Sequence, residues 1–125
     1  MKGEAMSIRF SSNAHEEAYH GIIEKMKKGD CYHQALAYLI TLDTVCRQHV
    51  DDLFDFDQDI ILFDGLKQGW QTGTSRKTTL LAFNLWSTYV DDDAKCSTPS
   101  ELFCCSCAPY YYEAIKLRYP EYTNE

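Results

Sequence analysis

No apolar run in this chain approaches the ~18 residues that a membrane-spanning helix needs. The leading "MKGEAMSIRFSSN" also lacks the apolar centre of a secretory signal. A soluble, cytoplasmic protein with no membrane partner is the expectation. Cations are scarce as well: 12 Lys and Arg face 19 Asp and Glu, a net charge of -7. A surface of that sign repels a phosphate backbone rather than neutralising it, which argues against direct nucleic-acid binding. Internal repeats, low-complexity tracts and linkers are missing too, so residues 1–125 read as one domain, with 1–12 and 120–125 as flexible ends. A chain of this length buries about two thirds of its unfolded surface on folding. It needs no metal or disulfide to complete its core, and no cofactor is expected.

Six cysteines are present: Cys31, Cys46, Cys96, Cys104, Cys105 and Cys107. The adjacent pair Cys104 and Cys105, with Cys107 close by, argues against a regular disulfide framework, because each half-cystine would need its own placed partner. Cys104 and Cys107 have the spacing of a thiolate pair, but no second pair completes a zinc site.

The apolar residues that are present recur at helical spacing. Asn13 with Glu16 resembles a capping box, followed by His15, Tyr19, Ile22 and Met26 along one face. This first helix is expected to run to Lys28, with Lys25, Lys27 and Lys28 favouring its C-terminal dipole before Gly29 stops it. Asp30 can cap a second helix whose stripe is Tyr32, Ala35, Leu36 and Leu39, and Asp43 can cap a third that runs through Cys46 and Val50 to Phe54. From Asp55 to Thr74 the pattern is irregular, and "IILF" reads as a short helix or loop, since an isolated strand has nothing to pair with. Thr74 or Ser75 then caps a helix carrying Leu80, Leu81, Phe83, Leu85, Trp86 and Tyr89. Asp91, Asp92 and Asp93 form a solvated turn, "TPSE" opens a further helix at Thr98, and Pro109 begins the last. The fold class is all-α, an irregular or orthogonal bundle of about six helices.

Three groups of residues merit a chemical reading. In a continuous helix Cys46, His49 and Asp52 would share a face and could converge on zinc or form an acid–base pair, with Cys46 as a nucleophile beside His49. The bland alternative is a buried thiol and a histidine paired with a carboxylate. In "GWQTGTSRKTTLLAFNLW" the turn Thr74, Ser75, Arg76 and Lys77 offers hydroxyls and cations at a helix start, a candidate anion or phospholigand site. It is not a Walker loop, because Gly69 and Gly73 are too close and Lys77 stands four residues past the second glycine. Finally, Asp51, Asp52, Asp55, Asp57, Asp59 and Asp64 fall within fourteen residues that hold no cation. Asp55, Asp57 and Asp59 have the alternation of a calcium loop, but Ile60 and Leu66 stand where its glycine and glutamate belong.

The segments "DCYHQALAYLITLDTVCRQHVDDLFDF" and "GWQTGTSRKTTLLAFNLW", preceded by "HEEAY", resemble a family of small bacterial proteins of unknown function often carried on conjugative and other mobile elements. The resemblance covers about residues 13 to 90. It implies an intracellular bacterial protein with an accessory or anti-defence role, and it carries no activity, ligand or catalytic residue with it. The leading expectation is a non-enzymatic protein that uses its acidic segment, by charge placement resembling DNA, to engage a protein with a basic surface. The alternative is a small enzyme or anion-binding protein using Cys46, His49 and Asp52 or the turn from Thr74 to Lys77. The tyrosine-rich "PYYYEAIKLRYPEY" could also serve contact between copies of the chain.

Overall fold

The computed structural model describes residues 7–90 and 98–123. The expected aspartate turn at Asp91 to Asp93, and Cys96, lie outside the described residues. Seven α-helices make up the fold among those described: α1 Asn13–Lys25, α2 Cys31–Leu42, α3 Thr44–Arg47, α4 Val50–Leu53, α5 Gly73–Ser87, α6 Pro99–Leu102 and α7 Ala108–Arg118. Strands β1 Phe54–Asp55 and β2 Ile60–Ile61 form a small hairpin, and 3₁₀ turns follow at Phe63–Lys67 and Pro120–Tyr122. The all-α expectation holds. The extra helix arises because the expected span from Asp43 to Phe54 breaks at Gln48 and His49.

The centre of the molecule is α2. Every residue from Ala35 to Thr41 has no solvent exposure, which follows from a run that is apolar around the whole helix rather than along one stripe. It packs most extensively on α5 and α7, and then on α1. Thr41 tolerates the interior because its hydroxyl donates back to the Ala37 carbonyl at 2.7 Å. On α1 the inward face is His15, Tyr19 and Ile22, as the spacing predicts.

The ends differ from expectation in instructive ways. α1 is capped by Ser12, whose hydroxyl accepts from His15 N–H at 3.1 Å, rather than by Asn13. It stops at Lys25, because Met26 turns into the core and its N–H closes on Ile22 and Ile23. Lys27 and Lys28 therefore lie outside the helix. Asp30 caps α2 and Asp43 caps α3, both as expected, each accepting from backbone N–H groups at 3.0 Å. α5 starts at a capping box two residues earlier than Thr74: Thr72 accepts from Ser75 N–H at 3.0 Å and Ser75 Oγ accepts from Thr72 N–H at 2.7 Å.

"IILF" also departs from its reading as helix or loop. Ile60 and Ile61 pair antiparallel with Asp55 and Phe54, and only Phe63 enters the 3₁₀ turn. The pairing is local. Asp55 Oδ1 accepts from the N–H groups of Asp57 and Gln58 at 2.9 and 3.1 Å, and Asp59 adopts a left-handed backbone with φ 63°. Gly65 lets the 3₁₀ turn lie against α4, since a β-carbon there would stand 2.5 Å from the Asp52 carbonyl oxygen.

Residues 8–10, expected as part of a loose lead-in, pack on the bundle. Arg9 N–H donates to Glu113 Oε2 at 3.1 Å, and Phe10 sits among His15, Tyr19 and Tyr38.

Candidate functional site

The short helices α3 and α4 separate the three residues that a continuous helix would have aligned. Cys46 is fully buried, with its thiol 3.5 Å from the Ser75 carbonyl and 3.4 Å from Thr79 Oγ1. Burial pushes it up to about 12, so the thiol stays protonated in the core. His49 lies outside both helices, at φ -131° and ψ 36°, and its ring stacks on Trp70 with centroids 4.4 Å apart and planes 5° apart. Its Nδ1 is 3.7 Å from Asp52 Oδ2, an ion-pair distance rather than a hydrogen bond. The same carboxylate oxygen accepts from the Trp70 indole N–H at 2.9 Å. His49 and Asp52 thus form a surface pair organised by Trp70, and Cys46 is not part of it. Arg47 faces the same shallow hollow of about 350 Å³, but its guanidinium donates to the Thr41 carbonyl at 2.8 Å and closes the end of α2.

The turn from Thr74 to Lys77 is likewise drawn into the fold. Ser75 has no exposure and its hydroxyl donates to Gln71 Oε1 at 2.6 Å. Thr74 lends its carbonyl to the Thr78 hydroxyl at 2.9 Å. Lys77 stretches to the Glu101 carbonyl at 2.9 Å, towards α6, and Arg76 also has an interaction partner. Two of the groups proposed to meet an anion are therefore already used by the protein itself.

The six aspartates divide by task. Asp52 serves Trp70, Asp55 holds the hairpin turn, and Asp59 bonds His33 at 2.8 Å. Asp51, Asp57 and Asp64 remain exposed. Although the fourteen residues hold no cation of their own, the end of α1 and the turn after it bring two in space: the Lys27 ammonium donates to the Asp57 carbonyl, and Lys25 stands 4.8 Å over the Phe56 ring. Beside them a shallow groove of about 390 Å³ is lined by Asp51, Asp52 and Asp64 with Leu62, Phe63 and Gln68.

His33 is the residue that the sequence reading passed over. It is 3% exposed, with Nδ1 2.7 Å from Asp30 Oδ1 and Nε2 2.8 Å from Asp59 Oδ1. The ring is thus held between two carboxyl groups, one at each nitrogen. Burial pushes the Asp30 carboxyl up, but the hydrogen bonds from the His33 side chain and N–H outweigh it and hold Asp30 below the usual carboxylate range. The i,i+3 spacing of Asp30 and His33 was a readable signal; Asp59, across the fold, had none. Among the described residues no three His, Cys, Asp or Glu side chains are placed to hold a metal ion, and no helix is long and apolar enough to cross a membrane.

These features define a small, mainly helical protein in which three exposed aspartates, Asp51, Asp57 and Asp64, lie on or beside one hairpin. The chain belongs to a family of unknown function, DUF6075, whose model matches residues 5–125 and so includes the cysteine-rich C-terminal part. No curated protein and no solved structure matches it.

Proposed function

We propose that this protein acts by binding another protein, through the acidic groove beside the hairpin, and that the partner presents lysine or arginine side chains. The groove carries the reading: Asp51, Asp52 and Asp64 line it together with Leu62 and Phe63, and Phe63 remains 46% exposed. A long basic side chain lays its methylene stem on such an apolar floor and places its charged head among the carboxylates. The net charge of -7 adds long-range attraction for a basic partner. The narrower form is an accessory protein of a bacterial mobile element, working in the cytoplasm as a nucleic-acid-like inhibitor of a host defence protein. Its support is the family resemblance together with the exposed Asp51, Asp57 and Asp64.

The test is a capture experiment from host lysate with the full chain and with an Asp51→Asn, Asp57→Asn, Asp64→Asn variant. The expected result is a basic protein captured by the wild type, released by salt, and lost at least tenfold with the variant, while stability changes by less than about 0.5 kcal/mol. An identical captured set with both proteins would sink the proposal.

A second reading, acid–base chemistry at His49 and Asp52, draws on their 3.7 Å approach in an open hollow. It predicts that phosphorylated or carboxylated small molecules raise the melting temperature of the wild type but not of His49→Ala.

A further inference from the structure

Helix α7 carries Tyr112, Glu113 and Lys116 within one turn, so the three side chains share a face. Lys116 Nζ stands 3.1 Å from Glu113 Oε1 and 5.2 Å from the centre of the Tyr112 ring. Glu113 is 7% exposed, and its other oxygen accepts from Arg9 N–H, which fixes the carboxylate. Beyond the helix, the 3₁₀ turn at Pro120–Tyr122 sets the Tyr122 ring 6.3 Å from that of Tyr119. Tyr119 is itself backed by Arg118, whose guanidinium lies 4.5 Å from its ring centre while donating to the Leu85 carbonyl at 2.8 Å.

Two hollows open on this face and share Tyr112, Lys116, Tyr122 and Thr123. The larger, about 520 Å³, is the polar one, and Glu113 and Lys116 are the only charged residues on its described lining. The smaller, about 350 Å³, is walled by Ile115, Tyr119 and the exposed rings of Tyr112 and Tyr122. A lone anion would meet Glu113, and a lone cation would meet Lys116. A molecule that carries both charges close together matches both at once. The ion pair need not part to receive it, since each carboxylate oxygen has two acceptor sites and the ammonium three donors. The two hollows are therefore complementary to a zwitterionic head joined to an apolar side chain, and walls of tyrosine favour an aromatic one.

We infer that this face of α7 binds a free α-amino acid with an aromatic side chain. Its ammonium joins Glu113, its carboxylate joins Lys116, and its ring enters the hollow walled by Tyr112, Tyr119 and Tyr122. The site shares no residue with the acidic groove proposed to meet a protein partner, so either can exist without the other.

Isothermal titration of the full chain with L-phenylalanine and L-tryptophan tests it. Saturable binding is expected. It should weaken at least about tenfold for N-acetylphenylalanine, which lacks the ammonium, and for phenylalanine amide, which lacks the carboxylate. Free alanine, which keeps the charged head without the ring, should weaken by a similar factor. This ligand series on the wild type does not depend on any variant folding. Lys116→Gln and Tyr122→Ala should each lose about tenfold in affinity at an unchanged melting temperature, whereas the Asp51→Asn, Asp57→Asn, Asp64→Asn variant keeps it. The inference is overturned if neither amino acid binds at millimolar concentration, if the capped forms bind as tightly as the parent, or if folded Lys116→Gln binds as the wild type does. It is also overturned if sedimentation shows a dimer that Tyr122→Ala dissociates, because a second copy of the chain would then fill the hollow.

Discussion

Helix α2 and the acidic hairpin touch one another at His33, yet they are held by different physics. Along α2, seven consecutive residues from Ala35 to Thr41 are wholly inside, and their neighbours come from α1, α5 and α7. Close packing spreads the stabilisation over many weak contacts, none of which has to point in a particular direction. The hairpin has two residues in each strand, far too few for independent stability. A few aimed bonds hold it: Asp55 to its own turn, Asp59 to His33, Lys27 to the Asp57 carbonyl. One region is secured by volume and the other by direction, so they should fail in different ways.

The largest effect is expected from Leu39→Ala, which opens a cavity at a residue with no exposure. A loss of about 2–5 kcal/mol follows from removed burial plus incomplete collapse. Chemical denaturation measures it, and a loss well below that range would mean that α2 is not the centre of cohesion. Next comes His33→Ala, which removes two charge-assisted bonds and leaves Asp59 in a left-handed backbone without its partner. About 1.5–3 kcal/mol should be lost. The difference between the regions would show in hydrogen exchange: the Leu62 amide, bonded to the Leu53 carbonyl at 2.9 Å, should exchange faster while α2 stays protected. Equal acceleration in both would erase the distinction.

A milder perturbation is pH. His15 accepts at Nδ1 from Ser11 N–H at 3.2 Å and donates from Nε2 to the Tyr38 carbonyl at 2.8 Å, the pattern of a neutral ring. Burial lowers its pKa, with the Tyr38 hydrogen bond opposing only in part. The unfolded ring takes up a proton near 6.5 while the folded ring does not, so the unfolded state binds more protons and stability falls as pH drops below that value. Asp30, depressed in the fold, adds a further loss at lower pH, as the solution passes through its folded value. Denaturation midpoints between pH 7 and 5 should decline in the wild type and decline less in His15→Gln. Parallel slopes for the two proteins would rule out His15 as the source.

Several of these features were legible before any fold was known. Asp30 and Asp43 were readable as caps because a cap acts on backbone groups two or three residues away. The buried face of α1, and Leu80, Leu81, Phe83 and Leu85 on α5, were readable from their period, whereas Trp86 is only half-buried and Tyr89 lies beyond the end of α5. Cys46, His49 and Asp52 were misjudged together because their alignment presumed an unbroken helix, whereas the stack of His49 on Trp70 sits at the break between α3 and α4. Ile60 and Ile61 were misjudged for a related reason: their partner strand, at Phe54 and Asp55, straddles what looked like the end of a helix and the start of an irregular segment.

Composition and periodicity alone determined that this chain would be helical and acidic, with Ala35, Leu36 and Leu39 turned inward, since burial depends on how much apolar surface a segment carries. That α2 is enclosed all round from Ala35 to Thr41, with Tyr32 left exposed, came from the packing. Which aspartates face water and where His33 finds its second carboxylate were decided only in three dimensions. That pairing joins residues as far apart as His33 and Asp59. Only the packing of α1, α2 and the hairpin brings them within the roughly 3 Å over which a hydrogen bond acts.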